Sequence, residues 1–184
     1  MKILLFSLVT AILLTVFYFQ LPKNISTEEI THETVDIDKA DIEYKNISEL
    51  PTLTETDKQI YKNLIPISLN ESLQVWASVA DSSIERQLGL SNTPYLPEYV
   101  VKLFVFEDIA IRNFWMKDMN YSIDIVWLDE NKKVISVTEN LLPESYHDRE
   151  TFSSEVPAKY VIETVPGLFL KHNIEVGSVI KFDI

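Results

Sequence analysis

Cysteine is absent from this chain of 184 residues, glycine and histidine occur only three times each, and acidic residues outnumber basic ones by 28 to 16. Each shortage removes a class of function. Without a thiol there is no disulfide framework, no thiolate nucleophile or metal ligand, and no lipid-modified cysteine of the kind that anchors a lipoprotein. Three glycines cannot supply the backbone nests that cradle nucleotide phosphates. A net charge of -12 lacks the basic footprint that nucleic acid or an anionic lipid surface demands. His32, His147 and His172 are scattered, and Ser153-Ser154 sits in no nucleophile elbow, so hydrolytic triads find no support. Glu144, His147, Asp148 and Glu150 resemble a ligand set by composition but lack a recurrent metal-binding spacing. Neither a metal nor a cofactor is expected.

What the chain does have is one long apolar run, from Lys2 to Leu21, closed by Pro22-Lys23-Asn24. Its length is close to what crosses a hydrocarbon core of ~30 Å at ~1.5 Å per helical residue. The end of the run, Phe17-Tyr18-Phe19-Gln20, has none of the small residues that a signal peptidase reads, so residues 1–21 are expected to remain as a transmembrane signal anchor. Cleavage at an atypical place is the alternative, and it would secrete the protein. Positive charge at the extreme N-terminus keeps that end in the cytoplasm and puts the rest outside it.

Residues 22–64 are rich in Glu, Asp, Thr and Ser with only isolated aliphatics, a composition that buries too little apolar surface to offset ordering entropy. They read as an acidic linker, extended by its own repulsion. A short helix after Pro51 is compatible with Thr54, Glu55 and Asp57 in its first turn.

The folded domain is assigned to residues 65–184. Ser72 to Val79 alternates at period two and predicts a strand with Leu73, Val75 and Ala77 on one face. Ser82 with Glu85 three residues on makes a capping box, and Gly89 supplies the stop of a short helix. Further strands are expected at 102–106, 111–116, 122–128, 133–137, 159–164 and 178–183, with a short helix after Pro166-Gly167. Many short strands and two or three brief helices predict a mainly β domain, a compact barrel or a sandwich.

The motifs Arg86-Gln87-Leu88-Gly89-Leu90, Leu103-Phe104-Val105-Phe106, Phe114-Trp115-Met116-Lys117, Ile123-Asp124-Ile125, Lys159-Tyr160-Val161-Ile162-Glu163 and Ile174-Glu175-Val176-Gly177 occur in an order that resembles the DUF192 family across residues 70–184. Ser91, Asp118-Met119, Ser122-Ile123 and Ser178 depart from the family pattern and mark a divergent member. The resemblance implies a small, mainly β fold, often exported, and brings no established catalytic residues with it.

Four residues are the site candidates. Asp124 lies on a strand whose two faces are both apolar, where a carboxylate is costly unless bonded or paired. Lys117 or Arg86 could pair with it, or backbone amides could bind it. Trp115 alternates with Phe114, so one packs inward while the other can face a groove. The expected function is non-catalytic binding of a small molecule, a glycan of the envelope or a protein, by a membrane-tethered domain outside the cytoplasm. The alternatives are a hydrolase or lyase with Asp124 as acid or base and Lys117 or Arg86 stabilising charge, and an accessory protein that acts by association. The sequence leaves the oligomeric state open.

Overall fold

The computed structural model describes residues 49–184. The expected signal anchor of residues 1–21 and residues 22–48 of the expected linker lie outside the described residues. No helix among the described residues is long and apolar enough to cross a membrane.

Six strands form one mixed sheet: β1 (Leu64–Ser68), β2 (Gln74–Ala80), β3 (Val100–Ala110), β5 (Ile123–Leu128), β6 (Val134–Leu141) and β8 (Ala158–Thr164), in the spatial order β1-β2-β3-β8-β5-β6. Only β2 and β3 run parallel; the other neighbours are antiparallel. A separate ribbon pairs β4 (Asn113–Phe114) with β7 (Phe152–Ser153). Three short helices complete the domain: α1 (Glu55–Ile60), α2 (Ser83–Leu88) and α3 (Leu168–Lys171).

The barrel expected from the strand count does not form. Residues 178–183, predicted as a last strand, touch the sheet through two isolated bridges, Ser68 with Lys181 and Lys133 with Val179. One bridge goes to each side of the sheet, so the segment spans the gap without a ladder. The edge strand β1 carries Pro66, which has no N–H to contribute to further pairing. The sheet therefore stays open. The expected strand at 111–116 is likewise reduced to Asn113–Phe114.

Period-two alternation sorts the side chains of the sheet into two cores. On one face Val75, Ala77, Leu103, Val126, Leu128 and Ile162 pack against Leu168 and Phe169 of α3 and against Ile174, Ile180 and Phe182. On the other, Val100, Phe104, Ile123, Ile125, Trp127 and Val161 are covered by Tyr61, Leu90, Leu96 and Met116. Strand β5 is buried at all six positions, as expected of a central strand with two apolar faces.

The folded unit reaches N-terminally of the boundary predicted at Ile65. Thr54 caps α1 in a reciprocal box with Asp57, whose carboxylate also accepts from Tyr95 Oη at 2.8 Å and Tyr99 Oη at 3.0 Å. Trp76 Nε1 donates to the Pro51 carbonyl at 2.7 Å. Acidic composition concealed this attachment, because its decisive acid, itself buried, is taken up by tyrosine hydroxyl donors instead of by water.

Asp124 is 2% exposed, and its oxygens accept from the backbone amides of Asn140 and Gly167, each at 2.7 Å. One carboxylate thus fastens β5 to the end of β6 and to the entry of α3. Asp124→Ala leaves two part-buried amides without acceptors, at about 1–3 kcal/mol each. Guanidinium denaturation should show a loss of about 2–5 kcal/mol for Asp124→Ala and a smaller one for Asp124→Asn. An Asp124→Ala protein as stable as the parent would show that the clamp is dispensable.

Candidate ligand-binding site

The second face of the sheet carries a cleft of about 250 Å³ between α2 and the segment that follows β4. Local sequence builds its roof. Ser82 Oγ accepts from the Glu85 amide while Glu85 Oε2 accepts from the Ser82 amide, the predicted capping box. Gly89 then turns the chain at φ 53°, a conformation that side-chain-bearing residues rarely adopt. A Cβ on Gly89 would stand 3.2 Å from the Phe104 ring and 3.6 Å from Glu163 Oε2, so the missing side chain lets the roof descend onto both.

Glu163 forms the floor. It stands in a cross-strand row, Ser78 on β2, Lys102 on β3, Glu163 on β8 and Ile125 on β5. It is 4% exposed, and its Oε2 has no hydrogen-bond partner among the described residues. Lys102 is its register neighbour, yet the ammonium turns to Ser78 Oγ at 3.2 Å and makes no ion pair with Glu163. Burial pushes the Glu163 carboxyl up to about 8, with Lys102 only partly opposing the shift. The same burial lowers Lys102 below its ordinary value in spite of the acids Glu163 and Glu85. Both groups are displaced toward their uncharged forms, as unpaired ions in a poorly solvated place must be.

Arg86 forms part of the cleft wall. Its Nη1 donates to the carbonyls of Asp81 and Val105, the latter at 2.9 Å, and its guanidinium lies 5.2 Å from the centroid of the Phe106 ring. Arg112 approaches the same ring at 3.9 Å. Phe114 packs edge-on against Phe104 and Trp127, with centroids at 4.8 and 5.4 Å, while Trp115 is 45% exposed at the mouth. Trp115 also borders a shallower concavity with Tyr146, His147, Arg149, Glu150 and Thr151. Among the described residues no three His, Asp or Glu side chains gather as a metal-ion cage.

Of the four candidates from sequence, Arg86 and Trp115 share this cleft. Lys117 is exposed beside Asp118, on a separate depression along the outer side of α2. Asp124 points to the opposite face, toward α3, and its bonds go to backbone amides instead of to Arg86 or Lys117. The residue that sequence reasoning missed is Glu163. A usable signal existed, since Val161 on its own face and Tyr160 and Ile162 on the other are all apolar, the same pattern that singled out Asp124.

A carboxyl that ionises near pH 8 when folded and near 4.5 when unfolded leaves the folded state holding the extra proton between those values. Stability therefore falls as pH rises through that window and levels off above it. Glu163→Gln should remove that slope and leave the variant more stable than the parent at pH 9 by urea denaturation. A parent whose stability does not decline between pH 5 and 8 relative to Glu163→Gln would contradict a buried, proton-bearing Glu163.

Comparison with known proteins places this fold in company. Residues 66–182 match the DUF192 family, described as uncharacterized ACR. A UPF0127 protein of Pyrococcus horikoshii is 32% identical over 117 residues, 62% of this chain and 94% of its own length. Another from Pyrococcus furiosus is 24% identical over 122 residues, 65% of this chain and 97% of its own. A crystal structure of a protein of unknown function from Novosphingobium aromaticivorans superposes with a TM-score of 0.59 at 19% identity, covering 72% of this chain and 99% of that one. The family match runs from within β1 through the rest of the sheet and takes in every wall of the cleft, and the chain belongs to the DUF192 family.

Proposed function

We propose that this protein is a non-catalytic binder of a small molecule, held outside the cytoplasm by an N-terminal membrane anchor. The observation that carries the binding reading is Glu163, a buried carboxyl with an unpartnered oxygen at the floor of a cleft with a half-exposed tryptophan at its mouth. A native structure rarely leaves such an atom unsatisfied without a use for it. Ligand sites combine apolar walls with a few convergent polar groups, and Phe104, Phe114, Trp115 and Met119 supply the walls here while Arg86, Gln87, Asn113 and Glu163 supply the groups. The anchor reading is supported by the apolar run from Lys2 to Leu21 and the charge order around it.

A second reading, acid–base catalysis, draws support from the raised ionisation of Glu163, a common mark of a working acid. The cleft contains no nucleophile oriented by a base, which is why binding is preferred.

Native mass spectrometry of the full chain purified from its own membranes tests the binding reading. A co-purifying small molecule is expected on the parent, with occupancy reduced about tenfold in Trp115→Ala, the loss of about 1.4 kcal/mol of contact at the mouth. A parent that carries nothing, or a Trp115→Ala protein that retains the molecule in full, would overturn it. For the anchor, external protease applied to intact cells should release a fragment that contains the folded unit, residues 51–184, from a membrane-bound stub. Full protection of the domain would refute export.

A further inference from the structure

We infer that the ligand of this cleft is a small organic anion, its negative group held by Arg86 and its apolar body lying between Phe104, Phe114 and Trp115. The inference rests on the binding reading above and adds the charge of the ligand. Among the described residues Arg86 is the only one lining the cleft with a fixed charge, because burial favours the neutral form of Glu163, the other ionisable one.

The geometry around Arg86 is that of a prepared anion receptor. Two backbone carbonyls hold Nη1 and the Phe106 ring lies 5.2 Å from the guanidinium carbon, so the side chain is held in place before a ligand arrives. Nε and Nη2 donate to no protein atom, and no carboxylate lies within ion-pair distance, among the described residues. A guanidinium with a free edge, fixed in a partly enclosed cleft, matches a carboxylate or phosphate in shape and charge.

Glu163 completes the selectivity. As a carboxylic acid it can donate a hydrogen bond to an acceptor on the ligand; as a carboxylate it would repel an anion. The charged and titratable groups around it are Lys102 from β3, Tyr121 ahead of β5, and Arg86 and Glu85 from α2, while β5 presents only Ile125. Anion binding should therefore weaken as the carboxyl ionises.

The test uses four probes that share one phenyl ring, benzoate, phenyl phosphate, benzyl alcohol and benzylamine, titrated into the full chain while the indole N–H resonance of Trp115 is followed by NMR. Benzoate or phenyl phosphate should shift that resonance at concentrations at least tenfold below those needed for the alcohol or the amine, and the stronger of the two tells which anionic group the site prefers. With Glu163 ionising near pH 8, the neutral fraction drops about tenfold between pH 7 and pH 9, and apparent affinity for the anion drops with it. Glu163→Gln should bind the anion with a flat pH profile, which needs no loss of fold to be read. Arg86→Gln should lose the preference for anions, and a circular dichroism melt shows whether the variant is folded when it does.

Tighter binding of benzylamine or benzyl alcohol at Trp115 would overturn the anion inference and leave the binding function standing. A pH slope that persists in Glu163→Gln would transfer the effect to Lys102 and overturn the part given to Glu163. Silence at Trp115 from all four probes at tens of millimolar would overturn both the inference and the binding site on which it depends.

Discussion

A carboxyl placed in the middle of a sheet that is covered on both sides must be bonded or must give up its charge. Strands β5 and β8 lie side by side in the centre of this domain, and each carries one such group, Asp124 and Glu163. They project to opposite faces and meet the constraint in opposite ways. Asp124 takes two backbone amides and keeps both oxygens satisfied. Glu163 finds no donor for Oε2 among the described residues, and burial pushes its carboxyl up to about 8.

The two solutions divide the molecule into a closed half and an open one. Behind Asp124, α3 and the C-terminal segment seal one face with Leu168, Phe169, Ile180 and Phe182, and Asp124 itself helps to hold the start of α3. In front of Glu163, α2 covers the sheet only as far as its glycine stop allows, and the cleft is the space left over. The residues of that cleft are constrained by the same local devices that make the fold: a capping box orients α2, α2 carries Arg86 to the rim of the sheet, and β3 presents Phe106 to back it.

Much of this arrangement was legible in the sequence where local physics decides. The box of Ser82 and Glu85, the stop at Gly89, the alternation of Val75 and Ala77 and the two apolar faces of β5 each depend on residues a few positions apart. Reasoning failed where a partner is remote. Composition places Asp57 in a solvated linker because Tyr95 and Tyr99, whose hydroxyls bond it, are 38 and 42 positions away. For Asp124 the sequence offers Arg86, Lys117 or backbone amides; amides are its partners, and which ones depends on Asn140 and Gly167, 16 and 43 positions downstream. Barrel closure failed for a related reason, since short strands with turns between them look alike whether the last segment forms a ladder or two bridges.

By itself the sequence determined the family, the net charge, the helix caps and the burial of β5, because motif order, composition and period are properties of the chain read along its length. Only the tertiary structure decided which of two buried carboxyls would face a cleft. Neighbouring residues on a strand point to opposite faces, but what covers each face comes from elsewhere in the chain. Asp124 met the entry of α3 and became scaffold, whereas Glu163 met a glycine and an opening, and that difference is what makes it the centre of the candidate site.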